Sequence, residues 1–400
     1  MKTLAQIEAR TAIESLPFVI SSPGSYYVTK NLQNATVNQT AISIDSSNVT
    51  LDLNGFTLSS IPGVIYGAIY VAPGRTNIEI KNGNIVGNIN LAGFTNGISC
   101  AYGPRNLKID RINVSGCGIG IIASHAILTD CSAHANGNIG LSADNGLIVN
   151  STAYGNGGIG LVANYGSILN CVATSNGSHG IYSDNGIIAH STANENGGTG
   201  ISASLGTVTH AHVRGNGFAG ILCSGGSVSD SKATSTTAQP AITCDTADNC
   251  SGNATSGNAI ECATATNCKG TSTSGIGISA LTGGVTNCKG TSVSGIGIDC
   301  FNATNSIGFS TSGIGLRADT ASNCTGSSAT DDGIFCHGVA TNCAGTSGIT
   351  GKSGIFAGGT ASYCRGYGNN GAVAISASIA VACTAPSGVI NSPEKHLGTP

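Results

Sequence analysis

The chain has 400 residues, a formal charge of −3, 9% charged residues, sixty Gly and no Trp, a composition far from ordinary globular usage. Its charge balance gives no electrostatic case for binding nucleic acid or an anionic membrane, and no apolar run is long enough to cross a bilayer. Gly does not recur at every third residue, which excludes collagen, and regularly placed Ile, Val, Leu and Ala exclude a disordered chain.

The opening MKTLAQIEARTAIE lacks the apolar core of a signal peptide, so the expectation is a cytosolic chain or one whose leader has been removed. Residues 1–36 do not fit the repeat that follows. They are expected to cap an open sheet end, with a short helix ahead of Phe18-Val-Ile and Tyr26-Tyr-Val. From residue 37 to about 115, Asn48-Val-Thr-Leu, Asn77-Ile-Glu-Ile and Asn106-Leu-Lys-Ile align at intervals of twenty-nine. Val49, Ile78 and Leu107 then face inward with Leu51, Ile80 and Ile109, while Thr50, Glu79, Lys108 and Asp52, Lys81, Asp110 form two outward columns. Charges of opposite sign neighbour one another there, which predicts cross-strand ion pairs.

From 116 to 235 the period is twenty, and from 236 to 385 it is eighteen to twenty-one. One column of small residues runs Ala123, Ala143, Ala163, Ser183, Ala203, Cys223, Cys244, Cys262 and onward to Ala377. A second holds Cys131, Ser151, Cys171, Ser191, Ala211, Ser231, Cys250, Cys268 and Cys288. Exchange of Cys with Ala and Ser marks small buried positions, so the cysteine ladder is expected to be free thiols rather than disulfides, and no CxxC motif suggests thiolate zinc. Asn-Gly recurs at Asn136, Asn156, Asn176, Asn196 and Asn216, then becomes Ser-Gly at Ser256, Ser274, Ser294 and Ser312; Gly at positive φ would make this asparagine ladder a sharp corner. Alternation of period two between corners predicts strands.

Short strands and corners at this period predict an all-β, right-handed parallel β-helix of about seventeen coils, roughly 80 Å long at the strand spacing. Residues 386–400 are expected to be a polar tail. The segments Ile7-Glu-Ala-Arg-Thr-Ala-Ile, Leu16-Pro-Phe, Ser22-Pro-Gly-Ser-Tyr-Tyr-Val and Val49-Thr-Leu-Asp-Leu-Asn-Gly-Phe-Thr-Leu resemble secreted bacterial β-helix repeat proteins of the pectin-lyase-like superfamily. That resemblance covers about the first sixty residues and implies the fold and export to the cell surface or medium.

Two places could carry chemistry. His190, His210 and Asp230 precede the inward Cys/Ser column, with His212, Lys232 and Arg214 close by, and all are expected outward on one face. His with carboxylate could ligate zinc or calcium or act as an acid–base pair, but the same column carries Asn at most other coils, which reads as solvated surface. The pair Asp331-Asp332 resembles a polygalacturonase fragment, yet no third carboxylate stacks beside it, which reads as a polar turn. Flat Thr arrays can bind ice, but the column from residue 132 runs Ser, Thr, Val, Thr, His, Lys. The outward aromatics Tyr154, Tyr182, Phe335 and Phe356 form no continuous track. The expected function is therefore a non-catalytic extracellular structural or adhesive protein, with itself or a surface glycan as partner and no cofactor. A polysaccharide lyase, a glycoside hydrolase, or a passive glycan- or metal-binding module is the alternative.

Overall fold

The computed structural model describes residues 10–63, 66–88, 93–100 and 105–396. The described residues contain strands and turns and no helix. The chain divides into two compact units, residues 1–207 and 208–400.

In the first unit the strands of successive coils pair in parallel among the described residues. The twenty-nine-residue step is seen directly, Val49 opposite Ile78 and Ile78 opposite Leu107. Twenty-residue coils follow, with Leu141 opposite Leu161 and Ala153 opposite Ala173. Each of these coils has three short strands, for example Leu141–Ser142, Leu147–Val149 and Thr152–Tyr154. Side chains alternate in and out, so Ile148, Ala153 and Leu161 are at most 1% exposed. The small-residue column lies inside as expected, with Ala123, Ala143, Ala163, Ser183 and Ala203 fully buried. One predicted cross-strand pair forms, Glu79 with Lys108 of the next coil at 3.5 Å, and Glu79 also bonds Lys81 at 2.6 Å along its own strand. In the second column the expectation is corrected: Asp52 meets Arg10 and Asp110 meets Arg111, cations that lie nearer than Lys81. The hydrogen bond from Lys81 leads the causes that hold the Glu79 carboxyl below its ordinary pKa.

The expectation of an N-terminal cap is corrected. Residues Arg10–Asn34 are not a separate cap. Phe18–Ile20 pairs in parallel with Ile42–Ile44, Gly24–Tyr27 with Val49–Asp52, and Leu32–Asn34 with Leu58–Ser60. A short helix is expected ahead of Phe18; residues 1–9 lie outside the described ones, and Arg10–Ile13 is a strand. The expected polar tail continues the pairing over its described part, where Ile390–Asn391 and Glu394–His396 pair with the strand Val373–Val381. In both places the apolar residues that occupy the interior are too widely spaced to show the repeat, yet backbone pairing continues through them.

The corner assignment is also corrected. In the Asn-Gly column it is the Asn that is buried, 1–2% exposed at Asn136, Asn156, Asn176 and Asn196. The Asn136, Asn156 and Asn176 amides each donate to the next Asn Oδ1 at 2.9 Å, and Asn156, Asn176 and Asn196 also donate to backbone carbonyls one coil back. The left-handed turn falls one residue earlier, at Ala135, Gly155, Ser175 and Glu195. The Gly is needed for contact instead, since a Cβ on Gly157 would sit 2.3 Å from the carbonyl oxygen of Gly137.

The second unit repeats this plan at eighteen to twenty-one residues, with Ile242, Ile260, Ile278, Ile298, Leu316, Ile334, Ile355 and Ile375 in successive register. Its corner is built differently. Ser272, Ser292, Ser310 and Ser328 are buried. Each hydroxyl donates to a Gly carbonyl of the preceding coil and accepts an N–H from its own turn, as Ser292 does with Gly275 at 2.7 Å and Gly295 at 2.9 Å. The buried polar role therefore belongs to the Ser two places before the Ser-Gly step. All sixteen cysteines of the chain are buried, and none is in a disulfide.

Candidate functional site

His190 closes the strand Ile187–Ala189 of the first unit, exposed, at φ 50°. In the second unit His210 and Asp230 occupy the same kind of left-handed corner, at φ 51° and 48°. Asn249, Asn267, Asn287, Asn305, Asn323 and Asn342 adopt it too, at φ between 50° and 54°. Asn, Asp and His are the side chains that tolerate this conformation best, so the backbone explains the column without a ligand. Asp230 accepts the Asn249 amide at 2.6 Å, and Thr209 Oγ1 lies 2.8 Å from His210 Nδ1. His212 and Lys232 are register partners on the strand that follows, both exposed, and Arg214 ends the strand His212–Arg214. Among the described residues no three His, Cys, Asp or Glu side chains gather in a way that could hold a metal ion.

Asp331 and Asp332 are both committed to neighbours. Asp331 pairs with Lys352 at 2.6 Å. Asp332 is 8% exposed and accepts the Ser353 N–H at 2.6 Å. Burial raises the Asp332 pKa above the ordinary carboxyl value. Neither forms an opposed acid–base pair across open space, and a turn role accounts for both.

Another candidate surface lies elsewhere in the second unit. The residue that follows each inward Ile or Leu points outward and stacks in register: Thr243, Glu261, Ser279, Asp299, Arg317, Phe335, Phe356 and Ser376. Three depressions of about 330, 230 and 260 Å³ lie along this column. The first is lined by Asp245, Glu261 and Leu281 among others, the second by Phe301, Arg317, Asp319 and His337, the third by Phe356, Ser376 and Asn391.

Between the second and third, Phe335 stacks on Phe356 with ring centroids 4.8 Å apart and meets His337 edge-on at 5.1 Å. Adjacent coils thus do place two aromatics in one short track. Asp299, its side chain 4% exposed, holds Arg317 through a bidentate pair, with Nε to Oδ1 at 2.8 Å and a second bond from the guanidinium to Oδ2. The Asp299 carboxylate keeps the Arg317 pKa raised. Asp245, Glu261 and Asp319 form no ion pair among the described residues. The groove is accordingly acidic. The signal was available in the sequence: this position varies from Thr to Glu, Asp, Arg and Phe between columns that hardly change.

Residues 96–237 match a family described as "Right handed beta helix region". No curated protein matches the sequence. Among solved structures, the A-module of mannuronan C-5 epimerase AlgE4 from Azotobacter vinelandii is 18% identical with a TM-score of 0.50, over 70% of this chain and 87% of that one. The corresponding AlgE6 module is 14% identical with a TM-score of 0.45, over 94% and 90%. PfbA, a surface adhesin of Streptococcus pneumoniae, is 12% identical with a TM-score of 0.35, over 74% and 83%. At such identities the likeness concerns the fold alone. With parallel pairing in each unit, inward small-residue columns and this match over residues 96–237, each unit has the fold of a right-handed parallel β-helix.

Proposed function

We propose that the second unit binds an extended glycan along the groove from Thr243 to Asn391, as a non-catalytic adhesive module of an extracellular or surface-displayed protein. One observation carries the reading: the three depressions follow a single outward column, so polar groups and the Phe335–Phe356 stack repeat along one line. Successive coils rise about 4.8 Å, which presents a contact at each coil to a polymer lying lengthwise. Aromatic faces supply apolar contact to sugar rings, and carboxylates accept their hydroxyl protons. Asp245, Glu261 and Asp319 repel polyuronates, so the glycan is neutral or carries amino groups. The fold shared with a mannuronan C-5 epimerase module is compatible with a polymer along stacked coils, but this groove differs in the charge it would select.

Affinity electrophoresis in gels containing a neutral β-glucan, chitosan or a polyuronate tests the proposal. Retardation is expected in the first or second gel and not in the third. Phe335→Ala and Asp319→Ala should weaken it about tenfold, equivalent to about 1.4 kcal/mol. Equal mobility of wild type and both variants in every gel overturns the reading. Release of new reducing ends or unsaturated sugars, abolished by Asp319→Asn, would replace it with an enzymatic one.

A further inference from the structure

A second outward column of the second unit repeats a single chemistry from coil to coil. The outward residue at the end of the second strand of each coil is Thr266, then Thr286, Thr304, Ser322, Thr341 and Ser362, each opposite the next in register. Six successive coils thus present a hydroxyl at one place. The column from residue 132 carries no such run, but this one, on another face, is unbroken.

Three features give the array its character. The residue before each hydroxyl is buried, from Ala265 and Val285 to Ala303, Ala321, Ala340 and Ala361, all at most 2% exposed, so the strands are fixed from behind. The residue after it is a left-handed Asn at five of the six coils, and the Asn342 amide donates to Asn323 Oδ1 at 2.7 Å, which ties neighbouring coils along the edge. Among the described residues, none of the six hydroxyl side chains takes a hydrogen-bond partner within the chain. The second outward column of the same strands reads Thr264, Gly284, Asn302, Thr320, Val339 and Thr360, so neither column contains a charged residue over these coils.

We infer that this face binds the surface of ice through the Thr266–Ser362 hydroxyl ladder. Thr is stiff at χ1, so its hydroxyl and methyl are already ordered and can hold a row of water at little further entropic cost. The array repeats at about 4.8 Å between coils and about 6.6 Å between outward residues of one strand. These two lengths approximate the oxygen repeats along and across a prism face of hexagonal ice. A charge-free face suits such a ligand, since bound ions and their tightly oriented hydration would disturb the lattice. A second copy of this chain is a poorer occupant, because the face offers little apolar area to bury; Val339 is its one exposed large apolar side chain over these coils. The inference does not depend on the glycan groove, which lies on a different column.

The test uses the full chain in three assays: thermal hysteresis, inhibition of ice recrystallisation, and partition into a growing ice front. The expected result is a freezing-point gap that grows with protein concentration, and enrichment in the ice. The double variant Thr286→Lys/Thr304→Lys should lose both, while Thr271→Lys/Thr291→Lys on the neighbouring face and Phe335→Ala in the groove keep them. Circular dichroism confirms that each variant is folded, and single Thr286→Val and Thr304→Val variants, which keep shape and burial, should lose at least half of the gap if the double variant does not fold. Wild-type protein with no gap and no recrystallisation inhibition overturns the inference, as does equal loss in the control pair. Adsorption to crystalline cellulose or dimerisation in sedimentation, lost in the ladder variant while the ice assays are negative, would assign the face to a glycan or a second copy instead.

Discussion

The Asn136 side chain donates its amide to Asn156 Oδ1 at 2.9 Å, and Asn156 repeats the bond to Asn176 at the same length. Each Oδ1 also accepts the backbone N–H of the preceding Asn, at 3.1 Å in both coils. One residue type at a fixed period therefore satisfies the buried corner of coil after coil.

Replacing Asn156 by Ala removes that link and leaves the Asn136 amide and backbone N–H without their acceptor in a buried site. The expected destabilisation is about 3 kcal/mol. Asn150→Ala, at an exposed corner, should cost about 1 kcal/mol, mainly from left-handed strain, since the bond it accepts from the Asn170 amide is long and solvated. Urea denaturation followed by circular dichroism, with hydrogen exchange over residues 130–180, measures both; equal effects would remove the ladder from the account.

Two neighbouring glycines separate conformation from contact. Gly155 has φ 61° and open space where a Cβ would be. Its Ala variant should lose about 1 kcal/mol. Gly157 has ordinary φ, but a Cβ would meet the Gly137 backbone at 2.3 Å. Its Ala variant should lose about 3 kcal/mol or fail to fold, because that coil must move away from its neighbour. Melting temperatures of the two variants should therefore differ clearly, with Gly157→Ala the lower.

Asp332 gives a pH dependence. Burial, opposed by the Ser353 N–H, raises its pKa in the folded protein. A carboxyl raised on folding adds stability below its unfolded pKa and loses that contribution as pH rises through the folded value. Asp332→Asn keeps the acceptor without the charge, as Asn258 already does for the Ile276 N–H at 3.0 Å. The variant should be more stable than wild type at pH 7. The difference should shrink toward zero on acidification past the ordinary carboxyl range. A constant difference from pH 3 to pH 8 in thermal melts would contradict this assignment.

The thiols should be inert in the native protein because all sixteen are buried, even Cys268, Cys324 and Cys364, whose pKa values are lowered by hydrogen bonds from neighbouring thiols. Burial pushes Cys171 up to about 11 and Cys117 up to about 12. At pH 8 a thiol of the former kind is about 0.1% thiolate, and little of that reaches solvent. A disulfide-exchange reagent should therefore titrate almost no thiol in buffer and sixteen in guanidinium chloride. Fewer than sixteen after unfolding would reveal disulfides.

Ala143, Ala163 and Ala203 could be placed inside from the sequence, because a small residue at a fixed period has one use in stacked coils: to let the backbone close over a narrow interior. The Glu79–Lys108 pair was legible for a similar reason, since a step of twenty-nine and an alternation of two fix both coil and face. The role of Asn156 was not, because an Asn-Gly pair reads as a tight turn by local propensity. Only packing against the neighbouring coils turned the amide inward and left the turn to Gly155.

The sequence by itself determined the period, the parallel stacking and which columns are small and buried, all of which follow from repetition along a single chain. The tertiary structure decided what the outward columns do together. Glu261, Arg317 and Phe335 lie eighteen or more residues apart, as do Thr266, Thr286 and Thr304, and their alignment depends on the length of every intervening turn. Register across coils is a cooperative property of the packed stack, set jointly by its corners and backbone pairing, and no single repeat contains it.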